Sequence, residues 1–517
     1  MAINIIITSD TGTKTVCTPT PASLAQVLVQ NGFVFSMPCA KQGICGKCKV
    51  LASGALSPLS KKEKALLSRD DVALGMRLAC QTEVLGDASI TLPQQEWGDV
   101  STPSFSTPLT GKGFGIAFDI GTTTLHGALY SFEEGRVLKT SMCKNPQGML
   151  GADVITRLHQ SLLGQRKQLQ LLLLNELSRM AEELCDACNV ALAGVSILSI
   201  VGNTAMLYLL HGCDATPLTQ APFIADHSFG KNILAGELGL SSINPSIPVY
   251  IAPVISAFVG ADILAGTLSL GLKRKKKPCL LLDIGTNGEM VLKHGASLTC
   301  CSVAAGPALE GATITNGMQA VTGAIYLVEH YQGKLAYRTI HNAPAKGICA
   351  SGLIDAISEM RRMGVLDEMG QIQSHGHAYT HLIEYYDEEP AFRLGSSGVY
   401  INQQDIHHFL SAKAAIAAGV ETLLAHSGIT PQDINRLYLA GGFGSYLNAK
   451  NAAAIGLLPS ALVNKTEIAG NTALQGALLM LDMKNAAKAR RLADEMQPLS
   501  LSEDVQFQQA FIRAMKF

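Results

Sequence analysis

A multidomain α/β protein is predicted, with a small N-terminal domain built around a cysteine loop and a large body made of two similar halves. Three observations predict it. The order aspartate, isoleucine, glycine, threonine ends an apolar strand twice, in Phe118-Asp119-Ile120-Gly121-Thr122-Thr123-Thr124 and in Leu281-Leu282-Asp283-Ile284-Gly285-Thr286-Asn287-Gly288-Glu289, which suggests two facing halves. A third apolar strand, Leu437-Tyr438-Leu439-Ala440, runs into Gly441-Gly442-Phe443-Gly444. Four cysteines near the start, Cys39, Cys45, Cys48 and Cys80, are spaced C-x5-C-x2-C-x31-C.

At 517 residues the chain is too long for one ordinary core. Charged residues make up 16% and apolar ones 47%, with a formal net charge of −1. This balance indicates neither a basic face for nucleic acid nor a polybasic membrane anchor. No run of about 18 apolar residues is present, and the start, Met1 to Asp10, reads as a strand entering a turn rather than as a signal peptide. A cytoplasmic protein is therefore expected. Thirteen cysteines, an odd number without an export signal, argue for metal binding over a disulfide framework.

In chain order, residues 1–93 form the first domain. A strand and the helix-like stretch Pro21 to Asn31 precede the cysteine loop, and strands at Lys49 to Leu51 and Ala88 to Leu92 follow it. An iron-sulfur cluster needs four converging thiolates, and Gly43 and Gly46 let three come from one tight turn while a distant segment brings the fourth. A structural zinc site is the other use of four such thiols. The gap of five resembles the adrenodoxin-like and bacterial variants of the 2Fe-2S fold, and the surrounding pieces resemble a ferredoxin β-grasp. Residues 94–112, rich in Ser, Thr, Pro and Gly without hydrophobic period, read as a flexible linker.

The first half of the body is placed at 113–250 and the second at 251–517. Gly113 to Tyr130 reads as strand, turn, strand, and Leu162 to Ala191 as one or two leucine-rich amphipathic helices. Cys185 and Cys188 lie within that helical stretch and, with no second pair at ligand spacing, read as ordinary packing, as do Cys300 and Cys301. The basic run Lys273 to Lys277 reads as a solvated loop, and His407 and His408 follow no ligand pattern.

At a strand-end DIGT turn, aspartate can hold Mg²⁺ through water, glycine lets backbone N–H groups approach phosphate oxygens, and threonine adds hydroxyl donors. With all three turns in this order, the chain resembles the superfamily of acetate kinases, sugar kinases, heat-shock chaperones and actin, in which two ribonuclease-H-like halves close on ATP. The resemblance implies an actin-like ATPase. It assigns Asp119, Gly121, Thr122, Thr123 and Thr124 to the first phosphate motif, and Asp283, Gly285, Thr286 and Asn287 to the second. Gly441, Gly442 and Gly444 fall to the adenosine motif. Ala252 to Asp262 and Ala469 to Ala473 sit where that superfamily places its two interdomain helices. Asp119 and Asp283 are expected at Mg²⁺ and phosphate, with Asp262, Glu289 and Glu310 as candidates for placing the attacking water.

The whole chain resembles the ATP-dependent reductive activators of corrinoid proteins, which join an N-terminal 2Fe-2S ferredoxin domain to such an ATPase. The residues that carry this resemblance are Asn145-Pro146-Gln147, Gly151 to Ile155, Gly202 to Met206, Ala221-Pro222-Phe223, Val259 to Asp262, Ala304 to Gly311, Ile348 to Asp355, Gly441 to Tyr446 and Gly456 to Pro459. It implies a 2Fe-2S cluster on Cys39, Cys45, Cys48 and Cys80, ATP and Mg²⁺ as further cofactors, an upstream electron donor, and the corrinoid protein of a methyltransferase system as partner. The implied reaction returns Co(II) to Co(I) by one electron. The linker is shorter than is common in that family, so a homodimer contact through it stays open. Two other readings use the same motifs: an ATP-gated electron donor to another low-potential enzyme, and a small-molecule kinase or chaperone-like ATPase with a redox sensor.

Overall fold

The computed structural model describes residues 2–9, 12–31, 33, 37, 41, 43, 46–93, 103, 108–227, 229–331, 334–386, 388–441 and 447–517. The chain falls into two compact units: Met1–Trp97 with Lys144–Leu173, and Gly98–Cys143 with Leu174–Phe517.

In the first unit the alternating sequence of Ala2–Ser9 buries Ile3, Ile5 and Ile7 on one face, as expected for a strand with one side on a core. This strand pairs antiparallel with Gly12–Pro19 and parallel with Glu83–Thr91, and the sheet continues through Lys49–Leu56 to Met76–Leu78. Helix Leu24–Gln30 buries Leu24, Ala25, Val27, Leu28 and Val29 in the same core. A mixed sheet whose first and last strands are parallel neighbours, with one helix laid across it, is the β-grasp. Strands Lys49–Leu56 and Glu83–Thr91 both run longer than the sequence suggests. Segment 144–173, read from the sequence as part of the first ATPase half, belongs to this unit, and its Met149 and Leu172 join the β-grasp core.

The second unit contains two sheets of the same plan. In the first, Phe114–Ile120 pairs antiparallel with Thr124–Ser131 and parallel with Val195–Gly202, which pairs parallel with Pro248–Ile251; Arg136–Lys144 and Lys231–Leu234 close the edges. In the second, Cys279–Ile284 pairs antiparallel with Gly288–His294 and parallel with Arg436–Ala440, which pairs parallel with Thr466–Gly470; Ser297–Val303 and Met496–Pro498 complete the other edge. Each DIGT turn thus joins the central strand to its antiparallel neighbour in its own sheet, and this repetition is the ribonuclease-H-like duplication. Cys279 to Leu282 form a continuous apolar run because both faces of the sheet are covered.

Between the two sheets cross helices Ala261–Ser269 and Thr472–Leu479, which touch strands of both sheets between them. They approach through small residues: a side chain at Gly476 would place its Cβ 2.2 Å from the Ala265 carbonyl oxygen. Residues 304–435, inserted in the second half, add two small sheets and the long helix Gln403–His426, whose apolar side faces the large core of that half. Asn402 and Asp405 close a capping box at its start.

The linker reading, 94–112, falls largely outside the described residues. Its last part is fixed to the second unit. Leu109 is buried and its N–H donates to Tyr130 Oη at 2.9 Å, while Thr110 N–H donates to Asp482 Oδ2 at 3.1 Å. One further expectation shifts. Helix Arg166–Asp186 ends before Cys188, which follows it in a turn closed by Asn189 at φ 53°. Gly164, at φ 93°, interrupts the helical stretch before it. Among the described residues no helix is long and apolar enough to cross a membrane.

Candidate nucleotide cleft and iron-sulfur loop

The three glycine turns of the second unit meet at one cleft. It is lined by Asp119, Gly121 and Thr122 from the first turn, Asp283, Gly285, Thr286, Asn287 and Glu289 from the second, and Gly441 from the third. Asp262, Glu310, His126, Asn203, Ile263, Asn471 and Ala473 complete the wall. Its volume is about 170 Å³, smaller than the several hundred Å³ of a site for a whole drug-sized ligand, so its enclosed part suits phosphates and a cation. Gly441 has φ 93°, and a Cβ there would lie 2.4 Å from Ile284 O and 2.7 Å from Asp283 Oδ1. Only glycine brings the third turn this close to the second.

Thr123 and Thr124 complete the first turn beside the lining residues. Thr124 O accepts the Gly121 N–H at 3.0 Å, closing the first turn, and Gly285 N–H donates to Asn287 O at 2.8 Å in the second. Thr123 Oγ1 lies 3.3 Å from Thr286 Oγ1, and both hydroxyls reach Glu310. Gly442 and Gly444 lie outside the described residues.

Burial and mutual repulsion govern the acids. Burial, followed by the charges of Asp262 and Asp119, pushes Asp283 up to about 8. Burial, then Asp119, pushes Asp262 up to about 7, although the Ile263 N–H donates to its Oδ1 at 2.8 Å. Glu289 is driven well above the ordinary carboxylate range by burial and then by Asp262 and Asp283. Carboxyls that resist ionising together are a ready site for a hard cation, whose charge would reverse the effect. Among the described residues no three His, Cys, Asp or Glu side chains form a closed metal cage. An open oxygen-lined space fits Mg²⁺, which keeps several waters and takes one or two carboxylates together with phosphate oxygens.

Three polar lining residues were missed in the sequence. Asn471 caps helix Thr472–Leu479 with its Oδ1 and donates Nδ2 to Asp119 Oδ2 at 3.1 Å. Asn203 likewise caps helix Thr204–His211 and donates Nδ2 to Thr122 Oγ1 at 3.0 Å. His126 Nδ1 has no hydrogen-bond partner and lies 3.6 Å from Asp119 Oδ2. Both asparagines stand just before apolar helices, a capping signal readable in the sequence, and each spends its other amide atom on a phosphate turn. Nothing local marks His126.

In the first unit, Cys39 and Cys45 lie outside the described residues. Cys48 and Cys80 come together: Ala79 N–H donates to Cys48 O at 2.9 Å, and a hydrogen bond with the Cys48 thiol is the main influence drawing the Cys80 thiol down to about 6 against its burial. Gly43 and Gly46 both have φ above 60°, as a tight ligand loop requires. Gln81 Nε2 lies 3.5 Å from Cys80 Sγ. The segment carrying Cys80 is braced by the buried Glu63, whose carboxylate accepts from Arg77 Nε at 2.8 Å, Arg77 Nη2 at 3.1 Å, Leu78 N at 3.2 Å and Thr82 Oγ1 at 3.1 Å. Burial opposes that charge, but the Arg77 hydrogen bond and the backbone donors outweigh it and hold Glu63 below its ordinary value. Two neighbouring thiols, Cys48 just after the glycine loop and Cys80 on the separate turn Ala79–Gln81, fit an iron-sulfur cluster.

Known protein families match both parts of the chain. Residues 7–85 match the 2Fe-2S iron-sulfur cluster binding domain, residues 114–275 the RACo middle region, and residues 277–517 the C-terminal domain of RACo, the ASKHA domain. Corrinoid activation enzyme RamQ of Eubacterium limosum is 33% identical over 391 residues, which cover 72% of this chain and 65% of that relative, just under two thirds of its length. The [Co(II) methylated amine-specific corrinoid protein] reductase of Methanosarcina barkeri is 27% identical over 398 residues, 70% of this chain and 68% of that protein. The solved structure of a reductive activator for corrinoid, iron-sulfur protein superposes with a TM-score of 0.73 at 28% identity, covering 100% of this chain and 98% of that one. With an iron-sulfur domain at its start and an ATP-binding ASKHA body after it, the chain belongs to the family of reductive activators of corrinoid proteins.

Proposed function

We propose that the protein uses ATP to drive a single electron from a 2Fe-2S cluster onto the cobalt of a partner's corrinoid, returning Co(II) to Co(I) and so reviving a methyltransferase system. The observation that carries this reading is the joining of an iron-sulfur domain and a two-halved nucleotide cleft in one chain, because phosphoryl transfer alone needs no one-electron centre. The printed names of the relatives, a corrinoid activation enzyme and a Co(II) corrinoid protein reductase, support the choice of partner.

Cys39, Cys45, Cys48 and Cys80 would hold the cluster, which supplies the electron. An upstream reductant refills it. Plant-type clusters lie near −400 mV, and each further 100 mV uphill for one electron costs about 2.3 kcal/mol, which is the gap that ATP offsets. In the cleft, Asp119 and Asp283 would hold Mg²⁺ with the nucleotide phosphates, and Asn471 holds the Asp119 carboxylate in place. Thr122, held by Asn203, and the backbone N–H groups that follow Gly121 and Gly285 would face the phosphate oxygens. Asp262 and Glu289 stand where a carboxyl can hold the attacking water. The interdomain helices carry Asp262 and Asn471 at their cleft ends, so closure on nucleotide shifts the packing of both halves. Such a difference between states is what coupling to a partner requires.

The test is reconstitution under anaerobic conditions with ATP, Mg²⁺, a reductant and a corrinoid protein. Wild type should convert Co(II) to Co(I). Cys45→Ser should retain ATP binding and fail to reduce, and Asp283→Ala should retain the cluster and fail to reduce. Full corrinoid reduction by either variant would refute the proposal.

A further inference from the structure

We propose that Glu310 is an internal stand-in for the terminal phosphate of the nucleotide, seated between the two phosphate turns and displaced when a nucleoside triphosphate binds. This rests on the nucleotide reading of the cleft. Glu310 Oε2 accepts from Thr123 Oγ1 at 2.5 Å and from Thr286 Oγ1 at 3.0 Å, so one oxygen takes a hydroxyl from each of the two phosphate turns. Its other oxygen lies over the second turn: a Cβ at Gly285 would meet Oε1 at 3.1 Å. Hydroxyls from two turns and an open glycine backbone are the surroundings that a phosphate oxygen seeks, and here a carboxylate of the same chain has them.

The backbone that delivers Glu310 is closely packed at Gly311. Gly306 and Gly311, at φ 75° and 76°, bracket the short helical turn Pro307–Glu310, and a side chain at Gly311 would strike the Met318 backbone at 2.6 Å. The side chain itself is only partly covered and borders the cleft, so it can rotate away while its backbone stays. A terminal phosphate arriving between Thr123 and Thr286 must take over both hydroxyls and would otherwise face a like charge at hydrogen-bond distance. Glu310 therefore holds the two halves together without nucleotide and sets a threshold against its binding. A phosphate-free adenosine, or a nucleotide lacking the third phosphate, does not contest the seat.

The test compares binding of a non-hydrolysable ATP analogue and of ADP, both with Mg²⁺, to full-length wild type, Glu310→Gln and Glu310→Ala by titration calorimetry, with thermal unfolding to verify folding. Expected is a gain in analogue affinity of about tenfold for Glu310→Ala, equivalent to about 1.4 kcal/mol. A smaller gain is expected for Glu310→Gln, which keeps an acceptor oxygen, with ADP affinity unchanged in both. Analogue binding that is equal or weaker in both variants overturns the stand-in and leaves Glu310 with a role in placing water or metal, seen as lost turnover at unchanged affinity. An equal gain for ADP and the analogue also overturns it, since the terminal phosphate would then not be what Glu310 replaces. If wild type and variants alike bind neither nucleotide, the stand-in and the nucleotide reading of the cleft both fall.

Discussion

Replacing Gly476 by alanine should damage catalysis far more than stability. The added methyl would sit 2.2 Å from Ala265 O, 2.4 Å from its carbonyl carbon and 2.5 Å from its Cα, all backbone atoms that no rotamer change can clear. Helices Ala261–Ser269 and Thr472–Leu479 must therefore part by about 1 Å to restore ordinary contact. Overpacking of this kind costs about 1–3 kcal/mol, and the better helix propensity of alanine returns up to about 1 kcal/mol. The net loss should be about 0–2 kcal/mol, seen as at most a modest fall in Tm. Both helices begin at the cleft, one with Asp262 and the other just after Asn471, which holds Asp119. A displacement of about 1 Å there can lower turnover on the order of a hundredfold. ATP hydrolysis and thermal unfolding, measured on the same preparation, decide the matter. Gly266→Ala is the comparison, because its Cβ would first meet the Thr472 Oγ1 at 2.8 Å, a side-chain atom that can yield. A Gly476→Ala protein with full turnover and unchanged Tm would refute the close crossing.

Asp283→Ala should lower ATP turnover by about a hundredfold or more, as loss of a preorganised charge at a phosphoryl site does; Asp283→Asn should lose turnover yet raise the Tm of the nucleotide-free protein, because it removes a buried acid set against Asp262 and Asp119. Glu63→Gln should destabilise the iron-sulfur domain by about 3 kcal/mol, the cost of breaking a buried pair from one side. The Glu63 pKa is lowered on folding from 4.5, so its contribution is complete above the unfolded value and fades as pH falls through the lower folded one; chemical unfolding below about pH 4.5 should show a steeper loss in wild type than in Glu63→Gln. Gln81→Leu should shift the cluster to a more negative reduction potential in protein-film voltammetry, since an N–H donor at Cys80 Sγ favours the more negatively charged reduced state.

The parts legible in the sequence were those dictated by local chemistry. Strand-end aspartates followed by glycine and threonine predicted turns that the fold gathers into one cleft, and their repetition predicted two sheets of one plan. Glu310, Asp262 and Glu289, named from a resemblance alone, also line that cleft. What could not be read depends on contacts distant in sequence. Asn471 reaches Asp119 from the far end of the chain, and its capping role hid the use of its second amide atom. His126 enters because it follows the first turn on an antiparallel strand opposite Asp119, a register that no local pattern announces. That segment 144–173 packs its Met149 and Leu172 into the β-grasp core has no sequence signal, because those residues resemble any core residues and only packing shows which core they join. The end of the linker, without hydrophobic period, reads as free, yet Leu109 and Thr110 find partners at Tyr130 and Asp482.

ATP-driven electron delivery is tested most directly by the yield of Co(I) on a cognate corrinoid protein, followed by its absorption bands at a fixed reductant potential, with and without MgATP. The predicted result is Co(I) formation that requires ATP, stops when the analogue that cannot be hydrolysed replaces it, and exceeds the yield that the cluster's own potential allows. Equal Co(I) yield without ATP would contradict the coupling.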